Sequence, residues 1–155
     1  MAIEDEITFL ERIPLLRRLG TGALRSLAIA AEPQAVGAGE VLFTVGEAAD
    51  GAFVIQRGSF SLIPESASED EVIAGPGTLL GEAALLAQTK RPATATAREP
   101  CTVLRIPRAT FIKILESYPD AAKRLRDFIA SRTDQWTREI ENVRAALARG
   151  RRPDL

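Results

Sequence analysis

The chain has 155 residues, 46% of them apolar, with 20 basic and 21 acidic side chains for a net charge of −1. That length suits one domain able to bury roughly 70% of its unfolded surface, and the charge balance gives no broad attraction to nucleic acid or to an acidic membrane. With no histidine and a single cysteine, Cys101, the chain excludes a Ser-His-Asp or Cys-His nucleophile, an internal disulfide and any ordinary zinc site.

The elements are predicted in chain order. Ile7, Leu10, Ile13, Leu15 and Leu16 give a helical apolar face interrupted by Pro14. Glu4, Asp5 and Glu6 stand where a secretory leader would carry positive charge, so no leader is expected. Thr21 is the expected N-cap of a second helix through Leu24, Leu27, Ala28 and Ala31, with Pro33 stopping it.

From Gln34 to Ile106 the period changes to short β-branched and aromatic runs punctuated by glycine: Val41–Val45, Phe53–Gln56, Phe60–Ile63, Val72–Ala74, Ala93–Ala97 and Val103–Ile106. Short strands at such spacing predict an antiparallel roll. Ser66 to Glu71 reads as a solvated acidic hairpin tip. The longest apolar stretch, Val72 to Ala87, is broken by Gly75, Pro76, Gly77, Gly81 and Glu82, so it does not span a bilayer.

After Pro107 the helical period returns through Phe111, Ile112, Ile114 and Leu115, ending near Tyr118-Pro119. A long helix is then expected from Asp120 to about Arg149. Within it Ile129, Trp136 and Val143, with Ile140 and Leu147, form a short a/d-like stripe that suits a homodimer seam. The whole is expected to be α+β, a single domain over 1–155, with N-terminal helices over about 5–31, a roll over about 34–106 and C-terminal helices over about 108–149.

No GxxxxGK[ST], GxGxxG or DxDxDG pattern is present, and no carboxylate spacing proposes an enzyme. The informative stretch is Leu80-Gly81-Glu82-Ala83-Ala84-Leu85-Leu86 followed by Arg91-Pro92-Ala93-Thr94-Ala95. A glycine before a short helix of small residues lets backbone N–H groups approach a ligand closely, with a helix N-terminus suited to an anion. Glu82 supplies an acceptor for a sugar hydroxyl, and Arg91 a permanently charged fork for two phosphate oxygens. Set among Ala, Leu and Val, those two groups are costly unless they find partners.

This stretch resembles the phosphate-binding cassette of the cyclic-nucleotide-binding domain family, which includes catabolite activator proteins, kinase regulatory subunits and nucleotide-gated channels. The likeness extends to Phe9-Leu10 through Ile13-Pro14-Leu15-Leu16, to Gly39-Glu40-Val41-Leu42-Phe43, and to Gly58 after Phe53-Val54-Ile55. The resemblance implies a jelly-roll-like β-roll closed by C-terminal B and C helices. It implies that Glu82 accepts the ribose 2′-hydroxyl and Arg91 binds the exocyclic phosphate oxygens, with Gly81, Pro92 and Ala93 in the same cassette. Backbone N–H groups of Ala83 and Ala84 would complete the phosphate contacts, Val72 and Ile73 would line the base, and Leu85 would be the hinge to the closing helix. Arg132 and Trp136 are the candidate lid; Trp136 equally suits packing on the roll or in a dimer seam.

Pro92 departs from the family, which has Ala, Ser or Thr there. It removes one backbone donor, about 1.5–3 kcal/mol for a bond to a charged group, and it lacks the hydroxyl that some members use to favour guanine. The expected ligand is therefore cAMP ahead of cGMP, with no metal and no other cofactor. The sequence-based expectation is a cytoplasmic regulatory domain that signals to an effector protein, without catalysis, membrane span or nucleic-acid binding. The basic tail from Arg144 through Arg152 reads as a solvated terminus. The alternatives are a ligand-free interaction module on the same roll, or an isolated regulatory piece of a larger channel or transcription factor.

Overall fold

A computed structural model describes residues 3–66 and 70–131. Three helices lead: α1 (Ile3–Leu10), α2 (Pro14–Arg17) and α3 (Gly20–Ala30). Pro14 does not merely interrupt a helix. It opens α2 at a first-turn position, where its missing N–H leaves no intrahelical bond unmade. The expected cap is not used: α3 opens at Gly20, one residue before Thr21, with Leu19 at its N-cap and no side-chain cap.

Ten strands follow: β1 (Glu32–Val36), β2 (Val41–Phe43), β3 (Ala48–Ala49), β4 (Gly51–Arg57), β5 (Phe60–Pro64), β6 (Val72–Ala74), β7 (Leu79–Leu80), β8 (Thr89–Lys90), β9 (Ala93–Ala97) and β10 (Cys101–Pro107). Every pairing is antiparallel. The strands form one sheet of order β1-β10-β4-β7, a second of order β2-β9-β5-β6, and a small β3-β8 pair. With helix α4 (Arg108–Ser117) and helical residues 119–131 closing the described chain, this is the expected α+β roll flanked by helices.

The roll begins earlier than predicted. Pro33 lies inside β1 rather than in a loop ending the preceding helix. It is tolerated because β1 is an edge strand, where an N–H can be lost without breaking an interior ladder.

Strand β4 explains the architecture. Its first five residues are all buried, because successive side chains enter two different cores. Ala52 and Val54 join Leu104 and Ile106 against the helices, meeting Leu10, Leu16, Leu27, Phe111 and Leu125. Phe53 and Ile55 face the roll interior with Val36, Phe43, Phe60, Ala95 and Val103. Gly51 starts the strand because any Cβ there would run into the backbone of Ile106 and Pro107 on β10. The expected lid residues Arg132 and Trp136 lie outside the described residues, as do the heptad positions beyond Ile129 and the basic tail.

Candidate functional site

Among the described residues, Arg91 is the only charged residue that is buried, at 5% exposure. Its backbone is fixed on both sides: its N–H donates to Glu47 O at 2.8 Å, and its carbonyl accepts from Gly46 N at 2.8 Å. The side chain lies against the roll's aromatic residues, with its guanidinium carbon 4.5 Å from the Phe43 ring centre and 5.5 Å from that of Phe53. The two rings are themselves stacked at 6.0 Å. Cation–π contact partly compensates the lost hydration, yet Nη1 is buried with no hydrogen-bond partner among the described residues.

Burial pushes the Arg91 pKa down, while Asp50 and Glu47 pull it back up. Those two carboxylates are engaged elsewhere: Asp50 accepts from Arg105 Nη2 at 2.8 Å, and Glu47 accepts from Thr44 N at 2.9 Å. Among the described residues the guanidinium thus faces two aromatic rings and makes no ion pair. A buried polar group left in that condition is costly and calls for a partner.

Gly81 makes the arrangement sterically feasible. Its φ of +85° is left-handed, and a Cβ there would collide with Arg91 Nη1 and come within 3.2 Å of Gly51 O. Immediately after it, Glu82–Leu85 forms a single 3₁₀ turn rather than an α-helix. The Ala84 N–H donates to Gly81 O at 3.0 Å, so that expected phosphate donor is committed within the turn. Ala83 is exposed, Glu82 is half-buried, and Leu85 is fully buried in the helix-side core. The turn therefore links the site directly to the packing under α4.

Register separates the two residues expected to line a base. Val72 is paired with Leu62 and Ala74 with Phe60, on the face that points into the roll. Val72 is nonetheless 56% exposed, an apolar side chain left largely to solvent. Ile73 pairs with Ser61 and so points to the opposite, outer face. Ala93 shares the inner face with Ala95 and Ala97, and Pro92 is exposed beside it.

Three contributors were not singled out from the sequence. Phe43 and Phe53 are the platform under the guanidinium, but in sequence they look like ordinary inward strand residues. Arg108, the first residue of α4, donates from Nη1 to Ala49 O (3.0 Å), Ala84 O (3.1 Å) and Ala87 O (3.0 Å). The signal for it was present: a cation in a helix's first turn opposes the helix dipole and needs another reason to be there.

A roll that buries a cation against a left-handed glycine has the chemistry to accept a small anion. The sequence model of the cyclic nucleotide-binding domain matches residues 33–118, and the chain belongs to that family, a ligand-binding regulatory domain. The chain is similar to a cyclic nucleotide-gated potassium channel of Mesorhizobium japonicum, at 32% identity over 114 residues, covering 74% of this chain and 31% of the channel. It is 31% identical over 101 residues to a cAMP-dependent protein kinase regulatory subunit of Yarrowia lipolytica, covering 65% of this chain and 26% of that protein. A solved cyclic nucleotide-binding-like protein from Brucella abortus shares 39% identity, with a TM-score of 0.65, over 72% of this chain and 98% of that one. The chain thus spans about a third or less of the curated relatives it matches. Among the described residues no helix is long and apolar enough to cross a membrane.

Proposed function

We propose that the chain is a cAMP-responsive regulatory unit that binds and releases its ligand without transforming it. The observation that carries this reading is the buried Arg91, whose Nη1 has no hydrogen-bond partner among the described residues and lies against Gly81 and the Phe43–Phe53 pair. A cyclic phosphate would supply the missing acceptor, and Glu82 would accept the ribose 2′-hydroxyl. Val72 and Ala93, on the inner face, would meet the apolar flank of the nucleoside. Pro92 offers neither an N–H nor a hydroxyl, which favours adenine over guanine, and one curated relative is named for cAMP. The committed Ala84 amide and Pro92 leave fewer backbone donors, so more of the affinity falls on Arg91.

Ligand biases such a unit only by binding one arrangement more tightly than another. Leu85, buried among the residues that also pack α4, is the part that would move with the cassette. The signal would then pass through the C-terminal helices to an effector protein or a second copy. The competing reading is a ligand-free scaffold in which the two rings alone satisfy Arg91. Calorimetry with cAMP and cGMP distinguishes them: we expect cAMP to bind more tightly, and Arg91→Met to lose on the order of a hundredfold in affinity. Heat evolution identical in the variant and the unsubstituted chain would remove Arg91 from the site.

A further inference from the structure

Arg108 is not needed to fill a core and makes no ion pair among the described residues. Its position is nonetheless tightly specified. The backbone N–H donates to Asp50 O at 2.7 Å, and a single side-chain nitrogen, Nη1, reaches carbonyls of three different residues. Two of these, Ala84 O and Ala87 O, lie at the C-terminal end of the cassette's 3₁₀ turn, where carbonyls have no partner within the turn itself. The third, Ala49 O, is on β3, whose partner β8 leads directly into Arg91. Leu86 and Ala87 fold back on Ala83 O at 3.3 and 3.2 Å, so the turn has no carbonyl-satisfying extension of its own at that end.

We propose that Arg108 is a positioning residue that ties the cassette to the first turn of α4, so that ligand capture at Arg91 and Glu82 is transmitted to the helix through carbonyl bonds as well as through Leu85. This inference rests on the sensor reading above and deepens it. A guanidinium on a helix N-terminus works against the dipole, and bonds from a charged donor to three carbonyls offset that penalty. Because one end of the tether is the cassette and the other is α4, an effect of ligand on α4 implies an equal effect of α4 on ligand affinity. Removing the tether therefore lowers affinity and disconnects the helix together.

A terminal guanidinium nitrogen has two hydrogens for these three acceptors, whereas a lysine ammonium has three. The chemistry thus predicts rescue by lysine, which a requirement for the planar fork would not. The test combines cAMP calorimetry with hydrogen exchange of the unsubstituted chain, Arg108→Met and Arg108→Lys. In the unsubstituted chain cAMP slows amide exchange across 109–117. In Arg108→Met, which keeps the apolar stem and removes every donor, that slowing is lost and affinity falls about tenfold. Arg108→Lys retains both to within about threefold. Should Arg108→Met not fold, Arg108→Gln, whose amide lacks the reach, takes its place. Cyclic AMP binding with α4 still protected in the donor-less variant overturns this inference alone, as does an equal loss in the methionine and lysine variants. Failure of the unsubstituted chain to bind either cyclic mononucleotide overturns the sensor reading and this inference with it.

Discussion

Strand β4 feeds two cores of opposite character. On the helix side, Ala52 and Val54 enter an apolar cluster, with Leu10, Leu16, Leu27, Ile106 and Phe111 all at 0% exposure. On the roll side, Phe53 and Ile55 enter a cluster whose open end carries a guanidinium at 5% exposure. The first region is locally consistent at every level, and the second violates the rule against burying an unpaired charge. Such violations persist at sites that do something other than hold the fold together. The contrast separates what stabilises this protein from what it is built to bind.

The sharpest way to break that contrast is to damage each core and read both properties. Leu10→Ala empties part of the sealed cluster on α1 and should lower unfolding free energy by about 2–5 kcal/mol, read by denaturant titration. The affinity of the folded fraction for cAMP should hold within about twofold. Arg91→Met should do the reverse. Burial lowers the Arg91 pKa, so the folded state disfavours the proton that the guanidinium carries at any ordinary pH. That cost is present below the depressed folded pKa and vanishes when the charge is removed. The variant's denaturation midpoint should therefore stay level or rise, while cAMP affinity falls by about 3 kcal/mol. A large drop in stability would show that Arg91 is structural, and the two cores would no longer differ.

Much of the sealed core was legible in the sequence, because its helices repeat apolar residues at helical spacing and its strands are bounded by glycine. What stayed hidden was edge and corner structure. Strand β1, Glu-Pro-Gln-Ala-Val, has four exposed residues out of five, so neither alternation nor β-propensity announces it; its pairing with β10 alone makes it a strand. The two-residue strands β3, β7 and β8 are too short to show a period. At the candidate site, Gly81 and Glu82 were legible as a glycine and a carboxylate in an apolar stretch, and Arg91 by its place in the cassette pattern that follows them. Phe43 and Phe53 were not, since an aromatic platform and a core aromatic follow the same alternation. Val72 and Ile73 could not be told apart for a related reason: adjacent strand residues face opposite ways, and only the register with Leu62 and Ser61 separates them.

Gly81→Ala tests the boundary between the two regions and should have an intermediate effect. A non-glycine residue at φ +85° costs about 1–2 kcal/mol, and the new methyl must displace Arg91 Nη1 or the Gly51 carbonyl. Both stability and affinity should fall, the latter about tenfold. If stability alone falls, the guanidinium has moved aside without consequence, and its placement against Gly81 is incidental to binding.

The smallest effect is expected at the rim. Arg105 on β10 bonds Glu32 at 2.9 Å and Asp50 at 2.8 Å, tying β1 and the β3–β4 corner to the central strand. The hydrogen bond to Glu32 is the main cause of its raised pKa, with Asp50 adding to it. Glu32 and Asp50 are both well exposed, at 58% and 68%, so solvent screens the pair. Glu32→Gln should change stability by no more than about 0.5 kcal/mol, and the change should shrink further in high salt. It leaves Asp50 in place beside Arg91, so cAMP affinity should not move. A measurable affinity change would mean that the rim charges are coupled to the buried cation, and that the boundary drawn between fold and site at β4 lies further out than the burial pattern places it.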